Sequence, residues 1–136
     1  MLVSMTVRNI ALIENLEIQF HKGLHVLTGE TGAGKSIVVD SINLMLGERA
    51  DRGLIRTGCD KGVVEAVFDL SDCPQARDVL AAESLEADGN LVTVMREIST
   101  SDRNVCRVCG VMVPLNFLRQ LSGFLVDIHG QHEHQS

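Results

Sequence analysis

A chain of 136 residues and 14.8 kDa is long enough to bury one core and too short for several domains. Hydrophobic residues make up 45% of it but aromatics only 3%, so the core is aliphatic, which suits an α/β sheet better than an aromatic-rich β-sandwich. The 18 acidic residues against 12 Lys and Arg leave a formal charge of −6, which argues against a surface that binds nucleic acid unaided.

The opening stretch, MLVSMTVRNIALIENLEIQF, has no long apolar run behind a basic start, so no signal peptide is expected. Nowhere do the roughly eighteen apolar residues of a membrane span occur. Residues 2–7 and 16–20 read as strands. In the second, Leu16, Ile18 and Phe20 alternate with Glu17 and Gln19, the period of a half-buried strand. A turn at HKG precedes another strand, Leu24 to Gly29. Lys35 to Leu46 then sets Ile37, Val38, Ser41, Ile42 and Met45 along one helical face, with Gly47 as the stop.

Residues 47–62 are rich in Gly and Arg and read as a loop with a short turn of helix. VVEAVFDL is a strand, and PQARDVLAAES a helix with Pro74 in its first turn. LVTVMREI and RNVCRVC pair as a hairpin across STSD. A helix is expected from Pro114 to a stop at Gly123, and FLVDI, Phe124 to Ile128, as a last buried strand. The fold class is therefore α/β, one domain over 1–136, with a mixed sheet that includes a partly antiparallel β-subdomain. There is no internal repeat.

The most specific signal is GETGAGKS, residues 29–36, which fits the phosphate-binding loop G-x-x-x-x-G-K-[ST] between a strand and an amphipathic helix. Gly29, Gly32 and Gly34 allow backbone conformations in which N–H groups converge on phosphate oxygens, with Glu30, Thr31 and Ala33 completing the cradle. The following helix turns its positive end on the same anion. Lys35 supplies charge to the β- and γ-phosphates, and the Ser36 hydroxyl ligates Mg²⁺. Kinases, GTPases, helicases and repair ATPases share this loop, so it points to a nucleoside triphosphate and leaves the reaction open.

Smaller signals compete. FLVD imitates the strand that ends in a Mg²⁺-holding aspartate, Asp127, and would make the chain a compact phosphotransferase; Ile128 follows where a water-polarising Glu belongs. Cys106 and Cys109 have zinc-ligand spacing, and His129, His132 and His134 offer further ligands for a non-catalytic zinc- or nucleotide-binding module. Strand alternation, however, would send the two thiols to opposite faces. With no export signal, the four cysteines read as reduced thiols of the cytoplasm.

IALIENLEIQFHKGLHVLTGETGAGKSIVVDSINLMLGERAD, VEAVFDL and LVDIHGQHEHQS together resemble the N-terminal region of the RecN family, bacterial DNA-repair ATPases of the SMC class. The resemblance implies a P-loop NTPase head split in two, of which this chain is the N-terminal lobe. The coiled coil and the C-terminal lobe would lie beyond it, and no heptad pattern appears here. It implies ATP and Mg²⁺ as cofactors, and Gln131 as the Q-loop ligand to the metal, with Gln135 the alternative. The implied partners are its own C-terminal lobe, a second head across two ATP molecules, and DNA through the whole protein. No membrane is implied, and the setting is the bacterial cytoplasm at the nucleoid. By the same resemblance Arg49, Arg52 and Arg56 face nucleotide or DNA near the dimer seam, or form a solvated loop, and Arg8 and Asn9 lie beside the nucleotide or form a polar strand end. One departure is Cys109 before Gly110, where the family pattern has Asn.

Overall fold

Alternating side chains build most of the molecule. The computed structural model describes residues 2–20, 32–49, 52–101 and 104–129, apart from the side chains of 32–38, Arg52 and 126–129. Six strands, β1 (Leu2–Ile10), β2 (Ile13–Gln19), β3 (Lys61–Asp69), β4 (Leu91–Ser99), β5 (Val105–Val108) and β6 (Val111–Val113), lie in the order β2-β1-β3-β4-β5-β6. Every pairing among the described residues is antiparallel, so the expected mixed sheet is seen in its antiparallel part. The strand expected at Leu24 to Gly29 lies outside the described residues.

Period two sends Val64, Ala66 and Phe68 of β3, and Val92, Val94 and Ile98 of β4, to one buried face. Helices α1 (Gly32–Met45), α2 (Pro74–Ala82) and α3 (Leu115–His129) complete the core. α1 packs on β3 and β4, α3 on β5, and α2 against α3. Pro74 opens α2, where its missing N–H costs nothing.

Two expectations need correction. Phe124 to Ile128 is not a strand, because α3 runs on through it to His129. Phe117, Leu118, Leu121, Ser122 and Leu125 are all buried, and that stripe of helical spacing crosses Gly123 without a break. Gly123 itself does not take a left-handed backbone; it lies exposed, with nothing within 4 Å of where a Cβ would sit. Asp127 is therefore a helical residue, and the strand-borne metal aspartate of a compact phosphotransferase does not form. The second correction is β6, Val111–Val113, a short strand in a stretch for which no element is expected between the hairpin and the helix at Pro114.

The β5–β6 connection accounts for the departure at Cys109. Val108 pairs with Val111, which leaves Cys109 and Gly110 as a two-residue hairpin loop with φ of +55° and +81°. Positive φ at both central positions is the mark of a type I′ turn, in which Asn-Gly is the favoured pair. Cysteine reaches that region less readily than asparagine does.

The C-terminal end of α1 carries the most elaborate polar contacts. Gly47, at φ +93°, donates its N–H to the Leu44 carbonyl, and Glu48 donates to that of Asn43, which together make a Schellman cap. Three side chains from elsewhere then take up the carbonyls around the cap. Arg96 of β4, 2% exposed, donates from Nη1 to the carbonyls of Leu44, at 2.9 Å, and of Glu48. Arg119 of α3 donates from Nε to the Gly47 carbonyl at 2.9 Å, and Ser122 Oγ to that of Leu46 at 2.8 Å. Two cations thus sit at the negative end of the helix dipole, where the buried Arg96 stabilises by up to about 2 kcal/mol and the exposed Arg119 by about 0.3–1 kcal/mol.

Glycines 47 and 123 make opposite predictions. Gly47→Ala meets both a left-handed φ and the Arg119 Cγ, 2.6 Å from the new Cβ, and lowers stability by about 2 kcal/mol or more. Gly123→Ala fills open space in a helix interior and raises stability by about 0.5–1 kcal/mol. Urea unfolding followed by circular dichroism reads both signs. Cys109→Asn suits the type I′ turn and raises the urea midpoint, by an amount corresponding to about 0.5–1 kcal/mol.

Candidate functional site

The phosphate loop straddles the start of α1. Gly29, Glu30 and Thr31 lie outside the described residues, whereas the backbone of Gly32, Ala33, Gly34, Lys35 and Ser36 forms the first turns of the helix. The helix begins at Gly32, three residues before the expected start. The first four N–H groups of an α-helix lack intrahelical acceptors. In α1 those groups belong to this loop, at the positive end of a 14-residue dipole. N–H groups without intrahelical acceptors at that end fit a phosphate, whose oxygens accept.

Apolar packing and the cap hold the helix that presents them. Leu44 and Met45 are buried, and so is Ser41, whose Oγ has no partner among the described residues. At about 1.5 Å per residue, the capped carbonyl of Leu44 lies roughly 18 Å along the axis from Gly32. The cap and the phosphate end therefore share one rigid rod.

Arg96 was not singled out in the sequence, although a signal was available. In LVTVMREI, Val92, Val94 and Ile98 alternate inward, and Arg96 falls in the same inward register. A charge on the core side of a strand needs a buried partner, and here the partner is the end of α1. Burial draws the Arg96 pKa below its ordinary value; the neighbouring Cys106 opposes that shift and Arg119 adds to it. An arginine starts so high that it keeps its charge.

The arginine-rich loop is tied down rather than free. Ala11 donates its N–H to the Leu54 carbonyl at 2.6 Å, Arg56 donates to that of Asn9 at 2.8 Å, and Ile10 bridges Ile55. These contacts fasten the loop to the β1–β2 turn. Arg56 is half-buried, with Nε lacking a partner among the described residues. Arg49 is exposed and lines a small hollow with Asp40, Asn43 and Glu48, beside the capped end of α1 and away from its phosphate end. The side chain of Arg52 is not described. Arg8 lies on the open face of the sheet, in a groove of about 620 Å³ shared with Glu65, Thr93, Glu97 and Arg107. Among the described residues Arg56 reaches β1 through the Asn9 backbone, and Arg49 belongs to a different surface.

The two thiols with zinc spacing point apart. Cys106 is buried on the helix side of the sheet, paired across strands with Arg96, whereas Cys109 lines the groove on the other side. Burial pushes both thiols above their ordinary pKa. Facing opposite sides of the sheet, they do not come together on one ion. Gln131, His132, His134 and Gln135 lie outside the described residues, and His129 is described only as the last backbone position of α3.

A family profile described as an AAA domain matches residues 4–101. DNA repair protein RecN of Halalkalibacterium halodurans is 42% identical over 136 residues, covering 100% of this chain and 24% of that protein. RecN of Bacillus subtilis is 42% identical over 135 residues, covering 99% and 23%, and that of Vibrio cholerae 39% over 140 residues, covering 99% and 24%. The chain thus spans about a quarter of the length of the curated relatives it matches. Among solved structures, a chain from a study of ATP-driven dimerization and DNA-stimulated activation of SMC ATPases superposes with a TM-score of 0.70 at 18% identity, covering 88% of this chain and 76% of that one. The SMC head domain from Thermotoga maritima gives 0.59 at 22%, covering 88% and 41%. The recombination mediator RecF gives 0.64 at 17%, covering 87% and 29%. These structures share the P-loop head fold, with the antiparallel sheet and helices described above. The chain belongs to the AAA-domain family, and the resemblance to RecN proteins read from its sequence holds along its whole length.

Proposed function

We propose that this chain is the ATP- and Mg²⁺-binding lobe of a split, SMC-class ATPase head that serves DNA double-strand-break repair in the bacterial cytoplasm. The observation that carries the reading is the start of α1 inside G-x-x-x-x-G-K-S, which turns N–H groups without intrahelical acceptors and the positive end of a helix dipole to one point. Gly29 to Gly34 surround the phosphates, Lys35 neutralises their charge, and the Ser36 hydroxyl holds the metal. Mg²⁺ held there would supply the charge neutralisation that phosphoryl transfer needs. Gln131, following α3, is assigned the Q-loop role, because its amide oxygen accepts from a metal-bound water without adding charge. The relatives named as DNA repair proteins and the SMC and RecF neighbours support this reading.

Hydrolysis belongs to the complete head. The lobe supplies the phosphate cradle, and the carboxylates and signature of the C-terminal lobe come from elsewhere in the protein and from a second head. DNA is engaged by the whole protein, with Arg52 and Arg56 as contacts near the seam. At −6, this lobe by itself has little attraction for a polyanion.

Calorimetric titration with ATP and Mg²⁺ gives weak saturable binding to the chain, and Lys35→Ala lowers the affinity at least tenfold. Phosphate release by residues 1–136 is negligible and appears when the C-terminal lobe is added in trans. Robust turnover by the isolated chain would overturn the split-head reading.

A further inference from the structure

The phosphate end of α1 is the business end, yet among the described residues the side-chain hydrogen bonds that fix the helix lie at the other. We propose that Arg96 is a positioning residue for nucleotide binding: from β4 it pins the far end of the phosphate helix, and so sets where the phosphate loop points. This rests on the nucleotide-binding reading of residues 29–36. Arg96 is 2% exposed, and its guanidinium reaches two carbonyls, those of Leu44 and Glu48, on either side of the Schellman turn. It stands inside the sheet, between Val64 and Cys106 in the cross-strand register, so its base cannot drift. Arg119 and Ser122 bind the same turn from α3. The helix end is thus held from two independent elements.

Leverage makes the pin matter. Ser36 lies eight residues from Leu44, about 12 Å at the helical rise. A pivot of about 5° at Leu44 moves Ser36 by about 1 Å, a displacement large enough to degrade an oriented site severely. A side chain that merely filled space would change stability and leave the affinity of the folded protein alone. A positioning residue changes the affinity of a protein that is still folded.

The test measures ATP–Mg²⁺ affinity of the 136-residue chain and of Arg96→Lys and Arg96→Met, at a temperature where amide NMR spectra show each folded. The lysine keeps a charge and a shorter reach, and the methionine keeps bulk alone. We expect affinity to fall about threefold for Arg96→Lys and at least tenfold for Arg96→Met. Folded Arg96→Met that binds as tightly as the parent overturns the proposal. If both variants fail to fold, Ser122→Ala, which removes one bond to Leu46, is expected to weaken binding about threefold, and unchanged affinity again overturns it. If the parent chain binds no nucleotide, the functional reading fails by itself. Hydrogen exchange then decides the positioning claim. The first two turns of α1 must exchange faster in the variant while β1 and β3 keep their protection, and a uniform or absent change refutes the pin.

Discussion

The molecule depends on satisfying the negative end of one helix. The carbonyls of Leu44, Leu46, Gly47 and Glu48 cluster at the close of α1 against the sheet and α3, where they accept from Arg96, Ser122 and Arg119. A buried carbonyl left unpaired costs about 1–3 kcal/mol, and a small domain has only about 5–15 kcal/mol of stability in total. Losing the cluster would therefore consume much of what keeps the chain folded. Leaving the Arg96 charge without its acceptors would be worse still. Gly47 is the hinge of the arrangement, since only its left-handed φ lets the chain turn away while Arg119 lies close against it.

From that point the rest of the architecture follows. The antiparallel sheet supplies a rigid base for Arg96, because β4 is flanked by β3 and β5 and cannot slip register without turning its apolar row outward. α3 supplies the other two donors and then runs on to His129, directly before Gly130 to Gln135. One joint thus connects the helix that begins in the phosphate loop with the helix that leads to the assigned Q-loop. The opposite face of the sheet carries charges of both signs, among them the Lys61–Glu97 pair at 3.3 Å. That pair is too exposed to be worth more than about 1 kcal/mol.

Local periodicity made much of this legible in advance. β3, β4, α2 and the β4–β5 hairpin follow from alternation, from Pro74 and from the polar STSD turn, and Gly47 reads correctly as a helix stop. Gly123 misled because glycine ends helices at one kind of position and merely weakens them at another. The buried stripe from Phe117 to Leu125 was the better guide. β6 was missed because the type I′ turn is spelled Cys-Gly rather than Asn-Gly. Arg96 was missed for a different reason. Its partner is a set of backbone carbonyls some fifty residues away, with a separation of 52 positions to Leu44, and no side-chain pattern announces such an acceptor. The phosphate loop was legible because its spacing is itself the chemistry.

The central claim is that a nucleotide binds at the start of α1 and is sensed at its pinned end. Titrating isotope-labelled chain with ATP and Mg²⁺ while following amide and guanidinium NMR signals tests it directly. The account predicts shifts at the amides of residues 29–36 together with the Nε signals of Arg96 and Arg119. Shifts confined to the open sheet face around Arg8, Thr93 and Arg107 would contradict it.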